Sequence, residues 1–129
     1  MLKSRNFREY KAWQDAVRLA TEVYKITSSL PWFEKKGLCD QLQRAVVSIS
    51  CNIAEGAGRH TDAEFSRFLN IALGSANEVE TQLLIAKNLS YINKQDFERL
   101  TSDLTSIQKQ LAGLIRTIRK DERERERER

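Results

Sequence analysis

Phe97-Glu-Arg-Leu100-Thr-Ser-Asp-Leu104-Thr-Ser-Ile107-Gln-Lys-Gln-Leu111-Ala-Gly-Leu114-Ile-Arg-Thr-Ile118 sets seven large apolar residues at alternating spacings of three and four. That period returns each side chain to the same side of an α-helix, and a strand has no such repeat. A single apolar seam with a polar remainder buries one face and needs neighbours to bury it against. The fold then depends on how many similar helices the rest of the chain supplies.

It supplies three. Asn93 is the expected N-cap of the helix above. Upstream, Thr61-Asp-Ala-Glu64 has the capping-box pattern and opens a third helix, which ends near Asn88. Its seam is Phe65, Phe68/Leu69, Ala72, Ala76, Val79, Leu83 and Ala86. A second helix is expected over about 34–55, with Leu38, Leu42, Ala45/Val46, Ile49 and Ile53 as its seam and Gly56 and Gly58 as its stop. The first, over about 8–29, carries the row Trp13, Val17, Ala20 and Tyr24 beside Ala16, Leu19, Val23, Ile26 and Leu30. Pro31, the only proline, ends it, and Trp32-Phe33 forms a hydrophobic corner. No segment of comparable quality reads as a strand. The expected fold is all-α, an antiparallel up-down-up-down four-helix bundle over residues 1–120, because the connections are short. The remaining 121–129 alternate Glu and Arg, which sets like charges at i, i+4, and are expected to be a frayed or disordered tail.

Composition agrees with one compact domain: of 129 residues 40% are apolar, enough for a core without disulfides or metal staples. No apolar run reaches the roughly 20 residues of a membrane span, and the N-terminus has no apolar stretch of the signal-peptide kind, so a cytoplasmic location is expected. Cys39 and Cys51 lie on one helix about 18 Å apart, too far to pair, and are expected to be buried small apolar residues.

Charge is informative where it is missing. No charged residue occurs from Ala45 to Ala54 or from Phe68 to Asn77. Such helices are buried on more than one side, which implies a homo-oligomer joined through the second and third helices, or else two helices deep within a monomer. The same region holds polar side chains in register. Arg44, Ser48, Asn52 and Glu55 form a ridge on the second helix, and Ser75, Glu78 and Gln82 form another on the third. They could set helix register, hold a ligand, or carry chemistry. Arg44 is expected to reach Glu55 or Glu78 only across helices or subunits.

Enzyme classes find little support. One histidine, His60, leaves no pair of Glu-x-x-His motifs for a di-iron bundle, and no HExxH, phosphate-cradling glycine loop or arginine-histidine helix motif is present. A non-catalytic protein without a cofactor or a metal is expected. The formal net charge is +4; the tail holds four arginines and five acids, which leaves +5 on the body. Candidate nucleic-acid contacts are Lys3, Arg5, Arg8, Lys11, Arg18, Lys25, Lys35 and Lys36. No aromatic stacking platform or zinc finger is visible, so any binding of RNA or DNA should follow charge and shape.

The segment Gln41-Leu-x-Arg44-Ala-x-Val-Ser48-Ile-x-x-Asn52-Ile-Ala-Glu55-Gly56, followed by Gly58-Arg59 and by Glu64-Phe65-x-Arg67-Phe68-Leu69-x-Ile-Ala72-x-Gly74-Ser75-x-x-Glu78, resembles the proteins encoded in intervening sequences of bacterial 23S rRNA genes, the S23 family. The likeness covers about residues 9–118. It implies a four-helix bundle assembling as a ring-like homopentamer without known enzymatic activity. A related branch, the accessory variability proteins of diversity-generating retroelements, implies nucleic acid and a reverse transcriptase as partners. Arg44, Ser48, Asn52, Glu55, Arg59, Ser75 and Glu78 stand on the family motif, which gives them no chemical role. Many members have proline at Ser50, and many have glycine at Ser90, which leaves the last turn without its easy left-handed residue.

Overall fold

The computed structural model describes residues 5–129, so Lys3 lies outside the described residues. Four helices follow one another: α1 (Lys11–Thr27), α2 (Leu38–Ala57), α3 (Asp62–Asn88) and α4 (Lys94–Arg127). Single 3-10 turns precede α1 (Phe7–Glu9) and α2 (Trp32–Glu34). α1 packs on α2 and α4, and α3 packs on α2 and α4, a square in which sequential helices are neighbours. Cross-links fix their antiparallel sense. Asp15 meets Gln110 while Glu22 meets Arg99, and Asn77 meets Gln108 while Asp62 meets Arg125.

The third and fourth helices start where the sequence places them. The Thr61 hydroxyl accepts from the Glu64 amide at 3.1 Å, and Asn93 Oδ1 accepts from the Asp96 amide at 2.7 Å. Each cap satisfies a backbone N–H that the helix itself cannot reach. The expected seam of α3 is wholly buried. That of α4 is buried at Leu100, Leu104, Ile107, Leu111 and Ile118, but Ile115 replaces Leu114 in the last turns. A strict 3,4 alternation drifts around a straight helix, and after four turns the adjacent position faces the core.

The first two helices depart further. α1 begins at Lys11 because Tyr10 is extended (φ −76°, ψ 123°), and α2 begins at Leu38 after its separate turn. The core row of α1 is Ala12, Ala16, Leu19, Val23 and Thr27, whereas Val17 and Tyr24 are exposed. The small Ala12 and Ala16 let α1 approach its neighbours closely. Gly56 lies within α2: a Cβ there would stand 2.6 Å from Phe68 Cβ, so close packing against α3 requires the glycine. Cys39 is buried, its thiol directed at the Thr27 carbonyl (3.4 Å), but Cys51 is exposed, contrary to expectation, because it falls on the outer side of α2.

Residues 121–127 are helical rather than disordered. Glu and Arg are good helix formers, opposite charges fall at i, i+3, and Arg125 reaches Asp62 at 3.4 Å. Asp62 is the first residue of α3, where negative charge is favoured, and it also meets Arg5 at 3.8 Å. Ser90 adopts the left-handed conformation (φ 62°) that a glycine would take more cheaply.

Candidate functional site

The motif side chains divide into three groups along the groove between α2 and α3. In the middle, Ser48 and Ser75 join the helices hydroxyl to hydroxyl at 2.8 Å, and Asn52 Nδ2 donates to the Ser48 carbonyl (2.8 Å) and hydroxyl (2.9 Å). This is a satisfied polar link that fixes the register of two antiparallel helices. Towards the start of α2, Arg44 pairs with Asp40 on its own helix at 3.1 Å, not with Glu55 or Glu78. Asp40 lies one turn before Arg44, and an i, i+4 partner on the same helix needs no rearrangement to be reached. Sequence reading missed this residue, although the spacing was there to find it. Arg44, Ser48, Ser75 and Glu78 line an open groove of about 290 Å³ with Asp40 and Gln41. At the other end, Arg59 Nη2 bonds Glu55 at 2.5 Å, lies 3.9 Å from Glu64, and covers the Phe68 ring with its guanidinium 4.8 Å from the centroid.

The outer face of this pair is apolar where charge is absent. Ile71 is 41% exposed on α3 and Val47 36% exposed on α2. Gly74, in the middle of α3, would meet nothing within 4 Å if it carried a Cβ. A glycine inside a helix costs about 1 kcal/mol against alanine, and no packing within the chain accounts for it.

The basic candidates are not one surface. Lys11 and Arg18 share Asp15 at 2.6 and 3.0 Å, and Lys25 faces Glu22 at 3.9 Å. Burial raises the pKa of Asp15, but hydrogen bonds from Lys11, Gln110 and Arg18 outweigh it and hold the carboxyl below its ordinary value. The stripe along α1 is thus largely neutralised within the chain. Arg5 donates to the His60 carbonyl at 3.1 Å and belongs, with His60, Asp62 and Arg125, to an open cleft of about 510 Å³ under the end of α4. Arg8 lies over the Phe7 ring at 4.4 Å. Lys35 and Lys36 stand exposed beside Trp32 and Phe33, which are 86% and 61% exposed. The hydrophobic corner therefore points outwards: Leu30 fills the core at that level and the turn carries the rings past it. Beneath it, the partly buried Tyr91 phenol donates to Glu34 Oε2 at 3.0 Å and is held above its ordinary pKa by burial and by that carboxylate. Among the described residues no group of His, Cys, Asp and Glu is placed to hold a metal ion, and no helix is long and apolar enough to cross a membrane.

Comparison with known proteins agrees with this architecture. No curated protein matches the chain. A crystal structure of a protein of unknown function from the S23 ribosomal protein family of Bacteroides thetaiotaomicron superposes with a TM-score of 0.76 at 29% identity, covering 81% of this chain and 95% of that one. The family model of the 23S rRNA-intervening sequence protein matches residues 8–113, the span that holds all four helices and every motif residue named above. The chain belongs to the 23S rRNA-intervening sequence protein family.

Proposed function

We propose that this protein is a non-catalytic homo-oligomer, a ring of five on the family resemblance, that binds nucleic acid through accumulated positive charge with little base readout. The observation that carries the reading is the outer face of α2 and α3. There the exposed Ile71 and Val47 and the uncompensated Gly74 lie in two charge-free runs, which is the surface a second copy of the chain would cover. Assembly turns a modest charge of +4 per chain into about +20 per pentamer, and polyanion affinity grows steeply with the number of phosphates met. A second reading is an oligomeric scaffold for protein partners with no nucleic-acid role. It is favoured by the neutralisation of Lys11, Arg18 and Lys25 within the chain.

Native mass spectrometry of the purified protein, with titration of 23S rRNA fragments and duplex DNA at 50 and 150 mM salt, separates the two. An oligomer that binds with submicromolar affinity at the higher salt, and with a slope of several phosphates, supports the first reading. An oligomer without such binding supports the scaffold, and a monomer at micromolar concentration rejects both.

A further inference from the structure

The turn between α1 and α2 has a composition that neither the bundle nor the α2–α3 face explains. Trp32 and Phe33 are the most exposed large apolar side chains described, and they sit edge to face with centroids 6.0 Å apart. Hydrophobic burial would favour drawing both into the core. Instead the backbone holds them out. The Glu34 amide donates to the Pro31 carbonyl (2.9 Å), the Lys35 amide to Trp32 (3.2 Å) and the Gly37 amide to Glu34 (3.0 Å). Glu34 itself turns inwards, with Oε1 accepting from the Leu38 amide at 3.2 Å and Oε2 from the Tyr91 hydroxyl at 3.0 Å. The acidic residue of the turn is thereby removed from its outer side. What remains outside is two aromatic rings and the cations Lys35 and Lys36. Among the described residues neither lysine is in an ion pair, unlike Lys11, Arg18 and Lys25.

We propose that this corner is a stacking contact for unpaired nucleic-acid bases, with Trp32 offering a ring face to a base and Lys35 and Lys36 meeting the phosphates beside it. The inference rests on the nucleic-acid reading above and narrows it from any polyanion to single strands or loops. Its physical basis is that every base has a π-face, so aromatic stacking beside a cationic groove binds single strands without sequence preference. Bases in a duplex are already stacked on one another and offer Trp32 nothing. The hydrogen-bonded turn holds the rings in place before binding, which lowers the ordering cost.

The test uses the full chain and three probes: fluorescein-labelled U15, the matching 15-base-pair RNA duplex, and vesicles of phosphatidylcholine with phosphatidylserine. Wild type, Trp32→Ala and Lys35→Gln/Lys36→Gln are compared, with thermal melts to establish that these exposed substitutions leave the fold intact. The expected result is about tenfold weaker binding of U15 by Trp32→Ala with the duplex changed less than about twofold. The double lysine variant should weaken both and lower the salt slope by about one. Equal U15 binding by wild type and Trp32→Ala overturns the stacking contact and leaves the charge-driven reading standing. No binding of either RNA at 50 mM salt overturns both. Vesicle binding lost in Trp32→Ala, without any loss of U15 binding, assigns the rings to a lipid surface and overturns the proposal. So does a blue shift of tryptophan emission with protein concentration alone, which would place the rings between copies of the chain.

Discussion

Ser90 is the described non-glycine residue with positive φ, and its strain is local to the turn that ends α3. The left-handed conformation costs a residue with a Cβ about 1 kcal/mol or more, part of which glycine returns as lost chain entropy. Ser90→Gly should therefore stabilise the protein by about 0.5 kcal/mol, read as a higher urea midpoint at unchanged slope; a lower midpoint would show that the serine earns its place by another contact. Asp15 is a second residue whose effect can be stated with its sign. Its exposed partners Lys11 and Arg18 contribute little, and the bond from Gln110 on α4 carries most of the value. Asp15→Asn should cost about 1 kcal/mol at pH 7. Because the folded carboxyl lies below its ordinary value of 3.8, this stability is full above that value and is lost as pH falls through the folded one. The gap between wild type and variant in urea melts should thus close towards pH 2.

At the scale of elements, α4 is the longest, 34 residues and about 51 Å, and its last turns extend over the start of α3. Only the Asp62 carboxylate is seen to hold those turns to the body, through Arg125. Asp62→Asn should raise amide hydrogen exchange in residues 121–127 severalfold while leaving the exchange of the buried 100–111 segment unchanged, and 1 M salt should do the same to wild type. Protection of 121–127 that survives both would mean that helix propensity alone suffices. The caps are legible in sequence for the reason that each is local: Thr61 and Glu64, or Asn93 and Asp96, need only three residues of chain. The core row of α1 is not legible in the same way. Its two apolar rows lie side by side on the helix, and only the directions of α2 and α4 select Ala16, Leu19 and Val23 over Val17 and Tyr24.

For the whole molecule, the outer α2–α3 face decides assembly. Gly74→Leu adds a side chain into open space, so it should leave the melting of the monomer unchanged or raise it, while Ile71→Lys places a charge in an apolar patch. Both should shift native mass spectra and light scattering towards monomer. Retention of the wild-type mass by both variants would move the interface elsewhere. The polar link of Ser48, Ser75 and Asn52 lies beside this face, and its sequence signature, a ridge spaced by four, was readable. Which of its members meet was not, since Arg44 found Asp40 within its own helix and left Glu78 at the groove.

Sequence by itself determined the number and order of the helices, the caps of α3 and α4 and nearly all of their seams, because periodicity and capping are properties of consecutive residues. Family membership was also legible, in the motif from Gln41 to Glu78. Tertiary structure decided everything that depends on where an element ends relative to the core. It turned Trp32 and Phe33 outwards past Leu30, exposed Cys51, exchanged Ile115 for Leu114 and carried α4 through the Glu-Arg repeat to Asp62. It also neutralised most of the α1 charge stripe while leaving Lys35 and Lys36 without an acid partner among the described residues. Burial and pairing are relations between segments distant in the chain, and hydrophobicity or charge at one position does not contain them.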